Sequence, residues 1–379
     1  MEGLVGELGT VLKRIQLIES VTLKHILLWS ILMFLFTDIL LFLFTVIHRT
    51  VADARARLYR RYYDMFTDQL VEAIYGTGKV SEPKTKIEKE ALGDVCIEIA
   101  RKFTGKERDI ALKIALEKGI VDYYIQKTRS PFLPTKVVYY EKLGFLKRRE
   151  IKDQLKHDIT RTRQEWAVGR MCFALSLITE EVEDVKFLVD KLSSLRFISF
   201  KFLEFIWVNI ISNFRERLED LLSFAETYLV EGLNRKEILR AFVESCGNLR
   251  LTQTVDFVLK VYGAYMEDSI MRLSCIRALG NMNFVNFINI FKENVNHPDW
   301  RIRAVLCRFA HLCPYEEIID DLKTLVGDKN YYVRINAGKS LLFFRDRVRH
   351  VLEELLGSED PFIRDTVKYL LEELEVRGA

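Results

Sequence analysis

Four arginines stand at nearly equal intervals near the C-terminal end of this 379-residue chain. Arg272, Arg303, Arg334 and Arg364 follow one another by 31, 31 and 30 residues, and Asp268, Asp299, Asn330 and Asp360 stand four positions before them. Such a row of guanidinium and carboxylate groups could bind an anionic ligand or brace a repeated fold. The second reading is preferred, because fixed periods of this size mark stacked helical repeats. No catalytic set competes with it. The six histidines are scattered, H-E-x-x-H is absent, and no histidine is followed by glutamate. Cys96, Cys172, Cys246, Cys275, Cys307 and Cys313 form no C-x-x-C and mostly sit on apolar stripes, which suits small core residues in a reducing compartment. Gly76-Thr77-Gly78-Lys79 lacks the P-loop spacing and reads as a linker. No catalytic, cofactor-binding or metal-ligating residue is assigned, and no cofactor is expected.

One carboxylate is placed where it must have a role or a cost. Asp38 is the sole ionisable residue in the 22-residue apolar run 26–47. At 1.5 Å per residue the run reaches roughly 33 Å, enough for a hydrocarbon core of about 30 Å. Sixteen of the 22 residues are Ile, Leu, Phe or Val. They contribute roughly −5 to −10 kcal/mol to insertion, against about +3 for a central Asp. Residues 26–47 therefore read as a single transmembrane helix; the run is too long and begins too late for a cleaved signal peptide. Ser30, Thr37, Asp38 and Thr45 share one helical face, which is assigned to pairing with another transmembrane helix. Arg49, Arg55, Arg57, Arg60 and Arg61 outnumber Lys13, Arg14 and Lys24 on the other flank, so the C-terminal part is expected in the cytoplasm. Arg55, Arg57, Arg60 and Arg61 are the expected lipid-facing cations, with Tyr59, Tyr62 and Tyr63 at headgroup level. Residues 1–25 carry apolar residues at helical spacing and read as an amphipathic segment that could lie in the interface. Residues 48–82 read as a basic juxtamembrane helix and linker.

The elements that must position the arginines are helix pairs. Each Asp or Asn suits a helix N-cap. The apolar residue before each arginine, with those three and seven positions after it, makes an i, i+4, i+8 stripe: Met271, Cys275, Leu279; Ile302, Leu306, Ala310; Val333, Ala337, Leu341; Ile363, Val367, Leu371. A second apolar helix follows in the first three copies. Two helices cannot bury these stripes alone, but stacked neighbours can. Weaker anchors trace back through Arg240, Lys201, Arg170 and Lys136, so the stack is expected over residues 83–379, clearest from 267, in about seven to nine pairs. No alternating strand pattern stands out.

The D-x-x-[apolar]-R helix start with its apolar stripe resembles the HEAT-repeat superfamily, in particular the short HEAT-like repeats first described in bilin lyases. The resemblance covers four consecutive copies. It implies an all-α fold, a right-handed α-solenoid of helix pairs after the transmembrane helix. It also implies that the Asp and Arg positions form ladders between neighbouring units. Iron-dependent hydroxylases built from such repeats use His-Glu pairs, which this chain lacks, and the likeness to lyases stops at the repeat. DNA glycosylases with HEAT-like repeats fit poorly with a membrane anchor and a net charge of +3.

Charge adds one further candidate. Residues 147–163 hold seven Lys or Arg against Glu150, Asp153 and Asp158. Solvated surface is the first reading, anionic lipid the second, nucleic acid the third. The function expected from the whole is a scaffold or adaptor in the plasma (inner) membrane, single-pass, with its solenoid in the cytoplasm. It would bind protein partners, including an integral membrane protein, touch membrane lipid, and recruit or regulate a membrane-bound complex. Envelope polysaccharide synthesis is a compatible client that no residue specifies. A lyase-type enzyme with a site in the groove and a nucleic-acid-binding protein are the alternatives, although no nucleic-acid partner is expected.

Overall fold

The computed structural model describes residues 2–230 and 235–378, with side chains described for 24–228, 230, 235–344 and 347–372. The amphipathic reading of residues 1–25 rests mostly on side chains outside the described ones. The fold is all-α, with no strand among the described residues. The chain divides into two compact units, meeting in sequence at Ile120 and Val121.

The first unit is organised by α1 (Glu2–Ile74), a single uninterrupted helix. No Gly or Pro occurs between residues 10 and 75, so nothing in the backbone separates the apolar run from the basic segment after it. Gly76, at φ +76°, ends the helix. The chain then doubles back, and the Ser81 N–H and hydroxyl both donate to Gln69 Oε1 at 2.9 Å. A capping box at Thr85 and Glu88 starts α2 (Lys86–Lys102). Phe66 and Leu70 of α1 and Ala91, Leu92, Val95, Cys96 and Ile99 of α2 are buried where these helices pack. α3 (Lys106–Glu117) covers α2. The last turns of α1 therefore share a core with α2 and α3. The cause is the Phe66/Leu70 stripe, which needs α2 to cover it.

The second unit opens with α4 (Ile120–Thr128), whose first residue lies on the division. Helix pairs follow: α5 (Leu133–Phe145) and α6 (Lys152–Arg161); α7 (Glu165–Ser176) and α8 (Val182–Ser193); α9 (Phe200–Asn213) and α10 (Leu218–Phe224). Next come α11 (Lys236–Asn248) and α12 (Val255–Ala264); α13 (Ser269–Asn281) and α14 (Phe287–Asn294). The series ends with α15 (Trp300–Phe309) and α16 (Tyr315–Val326); α17 (Tyr331–Phe343) and α18 (Arg349–Leu356); and the unpaired α19 (Pro361–Gly378). The first helices of successive pairs pack on one another, from α5 to α19, which is a helical solenoid. The traced anchors Lys136, Arg170, Lys201 and Arg240 fall on first helices α5, α7, α9 and α11.

The core follows the stripe read from the sequence, except that Ile363 and Leu371 of the last copy are only partly buried. Met271, Cys275, Leu279, Ile302, Leu306, Ala310, Val333, Ala337, Leu341 and Val367 are all fully buried. Small residues let the first helices approach closely: a Cβ on Gly247 would lie 2.5 Å from Ala278 Cα of the next first helix. After α5, α11 and α13 the chain turns through left-handed Lys147, Arg250 and Asn283. Each turn has the paired bonds of a Schellman end, such as Arg250 N–H to Gly247 C=O and Leu251 N–H to Cys246 C=O.

Candidate functional site

The polar strip of α1 divides into satisfied and unsatisfied groups. The Ser30, Thr37 and Thr45 hydroxyls donate to the carbonyls of Ile26, Met33 and Leu41 at 2.8, 2.7 and 2.7 Å, one turn back on their own helix. They need no partner, though each oxygen can still accept. Among the described residues no donor reaches the Asp38 carboxylate. Every side chain from Lys24 to Ile47 is exposed, and this part of α1 is long and apolar enough to cross a membrane. Asp38 and Ile74 are 36 residues apart, and Thr45 and Tyr63 are 18 apart, both whole numbers of 3.6-residue turns. The polar strip and the side of α1 that packs on α2 thus run along the same side of one helix.

That side also claims the tyrosines. The Tyr59 hydroxyl donates to Asp94 Oδ2 at 2.8 Å, and burial followed by this bond raises its pKa far above the usual phenol value. Tyr62 bonds the Glu88 side chain, and Tyr63 lines an apolar groove of about 350 Å³ with Val71, Ile74, Val95 and Ile99. Tyr59 and Tyr62 are thus contacts to α2, and Tyr63 borders the groove beside it. Arg55, Arg57, Arg60 and Arg61 remain exposed, with Arg57 and Arg61 on the face opposite α2.

The repeat residues act within and between units. Asp268, Asp299, Asn330 and Asp360 accept from N–H groups in the first turn of their own helices. Each arginine reaches back to the loop before its helix: Arg272 to Met266 C=O, Arg303 to His297 C=O, Arg334 to Asp328 C=O and Arg364 to Ser358 C=O, at 2.6–3.1 Å. The arginine thereby closes the turn that its Asp or Asn caps. The arginines also meet acids at the far end of their own helix pair. Arg303 is bidentate to Asp328 at 2.7 and 3.0 Å, and Arg272 meets Glu293 at 2.6 Å. Burial works to raise the Asp328 carboxyl, but Arg303 and the Asn330 N–H outweigh it and hold the group below its usual range. The Asp268 carboxylate also pairs with Lys236 of α11, the first helix of the preceding unit, while Asp299, Asn330 and Asp360 accept at their own helix starts.

The basic stretch 147–163 is largely consumed by the following pair. Arg149 pairs with Glu180, Lys152 with Glu181 and Asp184 at 2.9 and 3.2 Å, and Lys156 with Asp184. Asp184 is fully buried at the start of α8. The Lys147 ammonium donates to Leu177 C=O at 2.5 Å and to Asn213 Oδ1 at 2.9 Å. Sequence reading missed these contacts because the acids lie about 30 residues downstream, one repeat away.

Other reactive groups are muted. All six cysteines are buried, and burial pushes the Cys96, Cys172, Cys246 and Cys313 thiols up to about 12. The thiolate is the nucleophile, so these groups are inert near neutral pH. Burial, then the neighbouring Arg272 guanidinium, lowers His297, whose Nδ1 accepts from the Asp299 N–H at 3.0 Å. Among the described residues no three His, Cys, Asp or Glu side chains converge as a metal site.

No protein-family model matches the chain, and no curated protein matches it. Among solved structures, the crystal structure of Kap121p aligns with a TM-score of 0.38 and 9% identity, over 81% of this chain and 37% of that one. The chain thus spans well under half the length of Kap121p.

Proposed function

We propose that this chain is a membrane-anchored helical-repeat scaffold. Residues 26–47 cross the plasma (inner) membrane once, with both helical units in the cytoplasm. The Ser30/Thr37/Asp38/Thr45 strip pairs with a helix of an integral membrane protein. Arg55, Arg57, Arg60 and Arg61 lie over anionic headgroups, and the solenoid holds protein partners so as to recruit or regulate a membrane-bound complex. A complex of envelope polysaccharide synthesis is a compatible client.

The observation that carries this reading is the continuity of α1. One helix without Gly or Pro after residue 9 joins a fully exposed apolar run, with a single unpartnered carboxylate, to a unit buried on α2. Such a carboxylate in hydrocarbon is costly unless another polar group meets it.

The test is purification of the tagged full-length chain from its own membranes in mild detergent, beside Asp38→Leu. Retention in the membrane pellet after alkaline washing, with an integral membrane protein that co-elutes with wild type and is lost in Asp38→Leu, is the expected result. Release of the chain by the alkaline wash would overturn the anchor. A partner that persists in Asp38→Leu would remove Asp38 from the contact.

A further inference from the structure

The register of the first helices exposes one cleft whose cations lack the acids given to their counterpart. Arg277, Arg308 and Lys339 each lie five residues after an anchor arginine, on α13, α15 and α17. Arg277 donates to Glu244 Oε1 at 2.6 Å, and Glu244 is buried on the first helix one unit earlier. Glu244 stands four residues after its own anchor, Arg240. The residues in that register before Arg308 and Lys339 are Ile276 and Cys307, which cannot pair with a cation. Neither Arg308 nor Lys339 has an ion pair among the described residues, and both are exposed.

These two cations border a cleft of about 480 Å³ between α15 and α17, completed by His311, Asn336, Ser340 and Phe343. Its floor is rigid. Asn336 Nδ2 donates to Ala304 C=O at 2.8 Å, and the buried Ser340 hydroxyl donates to Cys307 C=O, tying α17 to the backbone of α15. The rim is half aromatic: His311 and Phe343 lie with ring centroids 4.8 Å apart, and Phe343 is 63% exposed. A pre-formed concave site with paired donors and an exposed apolar ring fits a ligand carrying both carboxylates and an apolar side chain.

We propose that the α15–α17 cleft binds an acidic peptide segment of a protein partner, its carboxylates on Arg308 and Lys339 and an apolar side chain against Phe343. This rests on the reading of the solenoid as a protein-binding scaffold and names the chemistry of what it holds. A nucleic-acid ligand is disfavoured, because the neighbouring cation Arg277 is already paired, and backbone tracking needs a longer unpaired row.

The experiment uses the full chain in detergent and a fluorescein-labelled octapeptide, Glu-Glu-Leu-Glu-Glu-Phe-Glu-Glu, with anisotropy as readout. Saturable binding is expected, weakened about tenfold or more in Arg308→Gln/Lys339→Gln and unchanged in Lys260→Gln, whose cation is paired with Glu226. Phe343→Ala should weaken it separately, at unchanged salt dependence. The substituted side chains are exposed, so melting temperatures should match wild type, and a shared fold can be checked directly. Equal binding of the glutamine-substituted octapeptide, or tighter binding of a single-stranded dT octamer, would overturn the assignment. If the octapeptide fails to bind while wild type still carries a membrane protein through purification, the cleft assignment falls and the scaffold stands. If both are absent, both readings fall.

Discussion

At the residue scale the repeat works as a two-part clasp. An Asp or Asn caps the first turn of each helix, and the arginine four residues on ties the preceding loop to that helix. The pair is braced further where a spare carboxylate faces the arginine, as Asp328 just after α16 does for Arg303 on α15. Asp328 is 9% exposed and Arg303 17%, so the pair sits partly out of water. Replacing Asp328 by Asn should cost about 1–2 kcal/mol at neutral pH, because a half-buried guanidinium loses its counter-charge. The sign with pH follows from the depressed carboxyl. The wild-type advantage is fully present above the unfolded Asp value of about 3.9, and it is lost as pH falls through the lower folded value. Melting curves of the two proteins in detergent should therefore stand apart at pH 7 and converge below about pH 4. A gap that stayed constant through that range would show that the carboxyl is not depressed by folding.

At the element scale α1 sets a phase as well as providing the proposed anchor. Because it runs unbroken from the apolar run into the α2 contact, the polar strip and the packed side keep a fixed phase. Two residues inserted between Arg49 and Arg57 would turn the strip by roughly 200° relative to α2, whereas seven would leave it within about 20°. If the strip and the first unit address the same membrane partner, the two-residue insertion should abolish its co-purification and the seven-residue insertion should preserve most of it. Equal loss in both would mean that distance, not phase, matters. Equal retention would mean that the strip and the first unit act independently.

At the scale of the whole molecule, stability is a chain of neighbour contacts. Val367 and Leu370 of α19 are fully buried at the end of the solenoid, where α19 packs on α17 and α18. Deleting residues 361–379 should expose the α17/α18 face and speed amide exchange there by tenfold or more, while α5–α12 keep their protection, since repeats feel only adjacent repeats. Uniform loss of protection along the solenoid would instead show that it unfolds as one cooperative body.

The helix pairs were legible in the sequence because period and stripe are local signals: an apolar residue every fourth position and a cap every 31 residues dictate both helices and stacking. The apolar run and its lone Asp38 were legible for the same reason, since length and hydropathy need no neighbour. Pairings between helices were not legible. Arg303 with Asp328, Lys156 with Asp184 and Tyr59 with Asp94 join residues 25 to 35 positions apart, and which polar group meets which acid depends on how one helix packs on another. The same dependence hid the α15–α17 cleft. The sequence by itself determined that this chain is helical, repeated and preceded by an apolar helix. Only the tertiary structure decided which charges are neutralised inside the fold and which, at Asp38, Arg308 and Lys339, are left facing outward, because charge pairing is a property of distances that no local pattern encodes.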